Sequence, residues 1–250
     1  MREMKKYVIS LAILATLLTS CASEFNRVYK TTDNDYKYEF AKECFARGKF
    51  TQAITLLQEL VTIQKGTDNA QECLYMLAMA EYCDRDYESA SETFKKYYQT
   101  YPKGIYAEQA AFYIGQSLYQ STPEPRLDQT ATVNAISAYQ DFLDFFPESQ
   151  LKSKASSRMF ELTDKLVLKE YLSAKLYYNL GDYFGNCTNG GSNFEACIVT
   201  SENALKTYPF TTMREEFAVL IMKSKYELAR QSVEDKKIER YRDAEDECYG

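Results

Sequence analysis

Four stretches of the chain repeat one arrangement of apolar positions. A small residue, Ala41, Ala78, Gly115 or Ala174, has one aromatic three residues before it (Tyr38, Tyr75, Phe112, Tyr171) and another four residues after it (Phe45, Tyr82, Tyr119, Tyr178). On a helix of 3.6 residues per turn, all three positions share a face. The first three copies step by 37 residues. Twelve residues beyond the small anchor stand Ala53 and Ala90, with Ala135 in that role after an insertion. Twelve further on from Ala90 and Ala135 come Tyr101-Pro102 and Phe146-Pro147, and Tyr208-Pro209 repeats the sign twelve after Cys197. A small residue suits a close helix crossing, an aromatic reaches a neighbouring helix, and a proline stops the pair. The pattern predicts an all-α chain of about five helix pairs, over residues 34–67, 71–104, 108–149, 153–209 and, partially, 210–250.

A pair of this kind buries its apolar stripe only by stacking on the next pair, and it resembles the tetratricopeptide repeat. The departures from the repeat fall in loops. Ser121-Thr122-Pro123-Glu124-Pro125-Arg126 interrupts the third copy, because two prolines preclude a continuous helix. Gly185-Asn186-Cys187-Thr188-Asn189-Gly190-Gly191-Ser192-Asn193 interrupts the fourth with a flexible surface composition. The last helix is expected to begin near Lys236. Its end at Glu247-Cys248-Tyr249-Gly250 has neither proline nor polar cap, which fits a truncated chain or a frayed helix.

Ahead of the repeats, Lys5 and Lys6 precede an apolar run from Tyr7 to Leu18, followed by Thr19-Ser20-Cys21. A basic start, a short apolar core and small residues before the break make a secretory signal, too short for the roughly 20 residues that span a bilayer. Leu18-Thr19-Ser20-Cys21 resembles the lipobox of bacterial lipoproteins. That resemblance implies cleavage after residue 20, diacylglycerol on the Cys21 thiol and an acyl chain on its new amino terminus, with residues 21–33 as a lipidated tether. Two or more acyl chains make a stable anchor where one gives marginal binding. The alternative is a plain cleaved signal with Cys21 left as a thiol. No acidic surface-export tag follows Cys21, so lipoprotein sorting implies the periplasmic face of the outer membrane.

Removing residues 1–20 takes away Arg2, Lys5, Lys6 and Glu3, a net of +2, and moves the formal charge from −6 to −8. Such a balance argues against nucleic acid as a partner. The absence of histidine removes the commonest general acid-base group and metal ligand. Acidic pairs such as Glu39 with Glu43 or Asp243 with Glu247 have helical i,i+4 spacing and no accompanying nucleophile, the signature of a solvated face. Neither an enzyme nor a cofactor other than the covalent lipid is expected. Beyond Cys21 the cysteines lack paired close spacing, so no metal site is expected. Cys73 and Cys83, about 15 Å apart along one helix, cannot bridge each other. Packing as small apolar groups is expected of Cys44, Cys73 and Cys83. Cys187 and Cys197 bracket the glycine-rich loop and could be joined or free.

A lipobox cysteine followed by five such repeats resembles the BamD family, lipoproteins of the outer-membrane β-barrel assembly machine. The likeness is clearest in Tyr101-Pro102-Lys103-Gly104-Ile105-Tyr106-Ala107-Glu108-Gln109-Ala110 and in the run from Asp164 through Lys169-Glu170-Tyr171 to Tyr177-Tyr178-Asn179-Leu180-Gly181-Asp182-Tyr183. The resemblance implies a lipid-anchored periplasmic scaffold. Its carboxy-terminal half would bind the barrel-forming core protein and its amino-terminal half would receive unfolded outer-membrane protein clients. The helix Phe194-Glu195-Ala196-Cys197-Ile198-Val199-Thr200-Ser201 departs from the pattern by lacking a basic residue.

The first helices of the repeats carry Tyr38, Phe45, Tyr75, Tyr82, Phe112 and Tyr119 at matching positions. These form a candidate ladder for an extended, aromatic-ended peptide, because tyrosine offers apolar area with few rotors and a hydroxyl for client backbone. The competing expectation is that the same rings pack helix on helix. Two other functions share the architecture: a wall-synthesis coordinator, and a glycan-binding lipoprotein using tyrosines as sugar platforms.

Overall fold

The computed structural model describes residues 24–183 and 191–249. All regular structure in them is helical: α1 (24–29), α2 (Asn34–Ala46), α3 (Phe50–Ile63), α4 (Ala70–Cys83), α5 (Tyr87–Thr100), α6 (Ala107–Ser121), α7 (Thr130–Phe145), α8 (Lys152–Leu180), α9 (Asn193–Thr207), α10 (Arg214–Arg230) and α11 (Glu234–Asp246). The all-α, tetratricopeptide-like expectation holds. The chain divides into two compact units, Met1–Ser121 with Asp144–Ser149, and Thr122–Leu143 with Gln150–Gly250.

In unit one, α2 to α6 pack each against the next in sequence. The turns inherit the 37-residue step atom for atom. Lys49 N donates to Cys44 O at 2.8 Å and Asp86 N to Glu81 O at 3.0 Å, closing α2 and α4 in the same way. The residue before each donor lies in the left-handed region, at φ +72° for Gly48 and +67° for Arg85. Glycine adopts this freely, whereas arginine does so at a cost. At the next corner, Thr67 N donates to Gln64 O and Gly104 N to Tyr101 O, both at 2.9 Å. Asp33 and Asp86 cap α2 and α5 by accepting from Tyr36 N and Ser89 N.

Every predicted anchor is buried: Ala41, Ala78, Ala174, Ala53, Ala90 and Ala135 are inaccessible, and Gly115 is buried. One cluster joins Tyr38, Ala41 and Cys44 of α2 to Leu56, Leu57 and Leu60 of α3 and Cys73 and Leu77 of α4. A second joins Leu74 and Ala78 to Phe94 and Tyr97 of α5 and Ala110 of α6. Residues 24–29, expected within a tether, instead form α1. Val28 is fully buried and Phe25 packs on the first cluster, because an aromatic and a valine three residues apart make an apolar stripe even on a short helix.

In unit two, α8, α9, α10 and α11 pack in succession, and α8 also meets α10. The 29-residue α8 contains neither glycine nor proline and ends at Gly181, φ +51°. A Cβ at Gly181 would meet the Phe194 ring at 3.3 Å. The core is Val167, Ala174, Cys197, Ala204, Phe217 and Leu220. Ser201 and Ser224 are fully buried beside the Cys197 thiol, and neither hydroxyl makes a hydrogen bond of good geometry. Cys44 and Cys73 are buried as expected, and burial pushes the Cys73 thiol up to about 12. Cys83, expected to pack, is exposed, because it closes α4 at the turn. Cys187 lies outside the described residues, and with it any pairing to Cys197.

Candidate peptide-binding face

The six ladder residues occupy the first helices α2, α4 and α6 of unit one, where the structure separates them by depth. Tyr38 and Phe112 are 2 % exposed and belong to the core. They offer no surface to a peptide, and the expectation is corrected for these two: each lies on the inward face of its helix, three residues before a buried small anchor. Burial, reinforced by the nearby Glu72 carboxylate, raises the Tyr38 hydroxyl well above the usual tyrosine range. Phe45, Tyr75, Tyr82 and Tyr119 are half-buried.

Tyr75 and Tyr82, about two turns apart on α4, are brought into one aromatic array. Tyr75 stacks on Tyr106 with ring centres 4.4 Å apart and planes 9° from parallel, and it meets Phe94 and Tyr97 edge-on, each at 5.8 Å. Tyr82 meets Tyr87 at 5.4 Å and Tyr113 at 5.2 Å, both edge-on. Phe94 stacks on Tyr113 at 5.3 Å and so links the two groups. Offset and edge-on pairs of this kind add about 0.5–1.5 kcal/mol each beyond area burial. Phe45 is held apart from this array, edge-on to Phe50 at 5.7 Å.

Tyr97 organises the array. Its hydroxyl donates to Gln71 Oε1 at 3.2 Å and accepts from Tyr106 N at 3.3 Å. The Tyr101-Pro102-Lys103-Gly104 turn closes so tightly over it that a Cβ on Gly104 would lie 2.6 Å from the Tyr97 oxygen and 2.5 Å from Gln71 Oε1. Glycine is required there by space. The ladder expectation missed Phe94, Tyr97, Tyr101, Tyr106 and Tyr113. Tyr87, Phe94, Tyr97 and Tyr101 recur at helical intervals of seven, three and four, a stripe that marks α5 as the second source of rings.

Among the described residues, no group of three or more cysteine or acidic side chains is placed to hold a metal ion, and no helix is long and apolar enough to cross a membrane. Cys21 lies outside the described residues.

The family model described as YfiO, outer membrane lipoprotein, matches residues 30–240, which takes in both units. The chain belongs to the YfiO family. Among relatives of this YfiO chain, the outer membrane protein assembly factor BamD of Caulobacter vibrioides is 22% identical over 177 residues, 69% of this chain and 58% of that protein. The putative assembly factor BamD of Aquifex aeolicus is 31% identical over 136 residues, 54% of this chain and 43% of that protein. The YfiO chain thus spans about half the length of the curated relatives it matches. A solved structure of kinesin light chain TPR-like repeats from Podosopora anserina covers 84% of the YfiO chain and 93% of its own, at 13% identity and a TM-score of 0.35, too low to carry an argument.

Proposed function

We propose that this chain is a lipid-anchored scaffold of outer-membrane β-barrel assembly, acylated at Cys21, lying at the periplasmic face of the outer membrane and working without catalysis. The observation that carries the reading is the YfiO match across residues 30–240, together with two relatives described as outer membrane protein assembly factors. The lipobox at Leu18-Thr19-Ser20-Cys21 supports the anchor, through a diacylglycerol and an N-acyl chain on Cys21. In this reading the carboxy-terminal half binds the barrel-forming core subunit. Unfolded outer-membrane clients dock weakly on the half-buried rings Phe45, Tyr75, Tyr82 and Tyr119 and are handed on.

Gentle detergent extraction of the tagged full-length chain from its own membranes, followed by mass spectrometry of bound proteins, tests the role. A large outer-membrane barrel with periplasmic repeat domains is expected in roughly equal amount. Recovery of wall enzymes alone, or of no protein, overturns the assembly role. Cys21→Ser is expected to move the chain from the membrane to the soluble fraction. For the client face, a photoreactive residue at Tyr82 should crosslink a peptide from the aromatic carboxy-terminal strand of a barrel precursor, and one at the exposed Glu88 should not.

A further inference from the structure

The strongest unassigned feature is a groove of about 510 Å³ beside α8 in unit two, lined by Arg126, Lys169, Lys175, Leu172, Leu176 and Asn179. Lys165, Lys169, Leu172, Leu176 and Asn179 follow the helical intervals of one α8 face. The third-copy insertion covers the start of that face: Lys165 Nζ donates to Thr122 Oγ1 at 2.6 Å and Lys169 Nζ to Leu127 O at 2.9 Å. Beyond this cover Leu172 is half-buried and Leu176 is 58 % exposed. Among the described residues that line the groove none is acidic, although the chain as a whole carries a formal charge of −6. Asp128, which lies toward Lys169, accepts from Thr130 N at 3.0 Å at the start of α7.

We propose that this groove binds a short acidic amphipathic helix of a partner protein, with leucine-like side chains against Leu172 and Leu176 and carboxylates toward Arg126, Lys169 and Lys175. Apolar surface between cations calls for a segment carrying both chemistries, since carboxylates alone leave the leucines wet and apolar residues alone leave the cations unmatched. Arg126 can take a carboxylate through two parallel hydrogen bonds. The open face from Leu172 to Asn179 rises about 10 Å, the length of about two turns of a docked helix. A membrane surface fits less well, because its headgroups would meet the cations at the rim and leave the leucines between them uncovered. This partner site goes beyond the proposed assembly role and stands whether or not that role does.

The test is fluorescence anisotropy of the full chain with three labelled 18-residue helical peptides. The first has leucine at positions i, i+3, i+4 and i+7 among glutamates, the second has serine in place of each leucine, and the third has lysine in place of each glutamate. Vesicles containing phosphatidylglycerol form a separate arm. Saturable binding of the first peptide alone is expected. Leu176→Asp and the pair Arg126→Glu/Lys175→Glu should each weaken it by about tenfold or more, with helicity and melting temperature unchanged, as these side chains lie at the surface. Equal binding of the serine peptide, indifference to both variants, or no binding overturns the proposal, as does vesicle binding without peptide binding.

Discussion

Between α4, α5 and α6, rings fill the space between helices; between α8, α9 and α10, small and polar side chains share it with Val167, Phe217 and Leu220. In the first region Tyr75, Phe94, Tyr97, Tyr106 and Tyr113 touch one another through stacked and edge-on contacts. In the second, Ala174, Cys197, Ser201, Ala204 and Ser224 line the crossing, with Phe217 edge-on to Tyr171 at 5.7 Å. One helical hairpin is thus filled in two ways. Rings bury more apolar area per residue and fix their neighbours' orientation, whereas small residues let helices approach and contribute less area each. Unit two meanwhile keeps large apolar side chains outside, including Leu176, Val199 and Val219, with Phe210 almost wholly exposed. Unit one leaves Ile63 and Ile105 exposed as well, so the difference between the two regions lies in how their interiors are filled.

The most severe way to break this contrast is Phe94→Ala, which removes the ring that links both halves of the array. A loss of about 4 kcal/mol is expected in denaturant unfolding, the scale for a fully buried phenylalanine. The next is Glu59→Ala. Glu59 accepts from Lys37 Nζ at 2.9 and 3.0 Å, and Lys37 is only 2 % exposed, so a buried ammonium loses its partner. A cost of about 2 kcal/mol is expected by the same measurement. Arg85→Gly should act in the opposite direction, because it gives the second copy the left-handed glycine that the first has at Gly48. A gain of about 0.5–1 kcal/mol is expected, since relief of the backbone strain exceeds the added entropy of the unfolded chain.

The repeat was legible because its anchors are small residues at fixed intervals, and a buried alanine such as Ala78 has little reason to recur at that step except a helix crossing. Depth was not legible. Tyr38 and Tyr75 occupy equivalent positions, yet the first is core and the second half-buried, because depth depends on which helix lies next door. The docking of α1 was missed since six residues carry too little periodicity to stand out from a linker. The continuity of α8 was available in the sequence, as no glycine or proline falls between Lys152 and Leu180.

Two smaller effects sharpen the comparison. Glu81 is buried in unit one, with Oε2 unpartnered, and burial raises its carboxyl above the ordinary 4.5 despite the opposing pull of Thr93 and Lys96. A folded-state value above the unfolded one favours the fold while the group is protonated. That stability is present below pH 4.5 and is lost as pH rises through the raised value. Glu81→Gln should flatten this part of the pH dependence of the unfolding midpoint. In unit two, Ser201→Ala should change stability by less than about 0.5 kcal/mol, since the hydroxyl removed has no well-formed hydrogen bond to lose.

The burial of Val28 sets the leash on which the whole protein would move. If Cys21 carries the lipid, only three peptide links separate it from Glu24, the first residue of the docked α1, and even fully extended they reach about 11 Å. A free tether of thirteen residues would let the repeats sweep a broad hemisphere and dilute them away from the bilayer. A leash this short confines the start of α1 to a thin shell and raises the local concentration of unit one at the membrane surface.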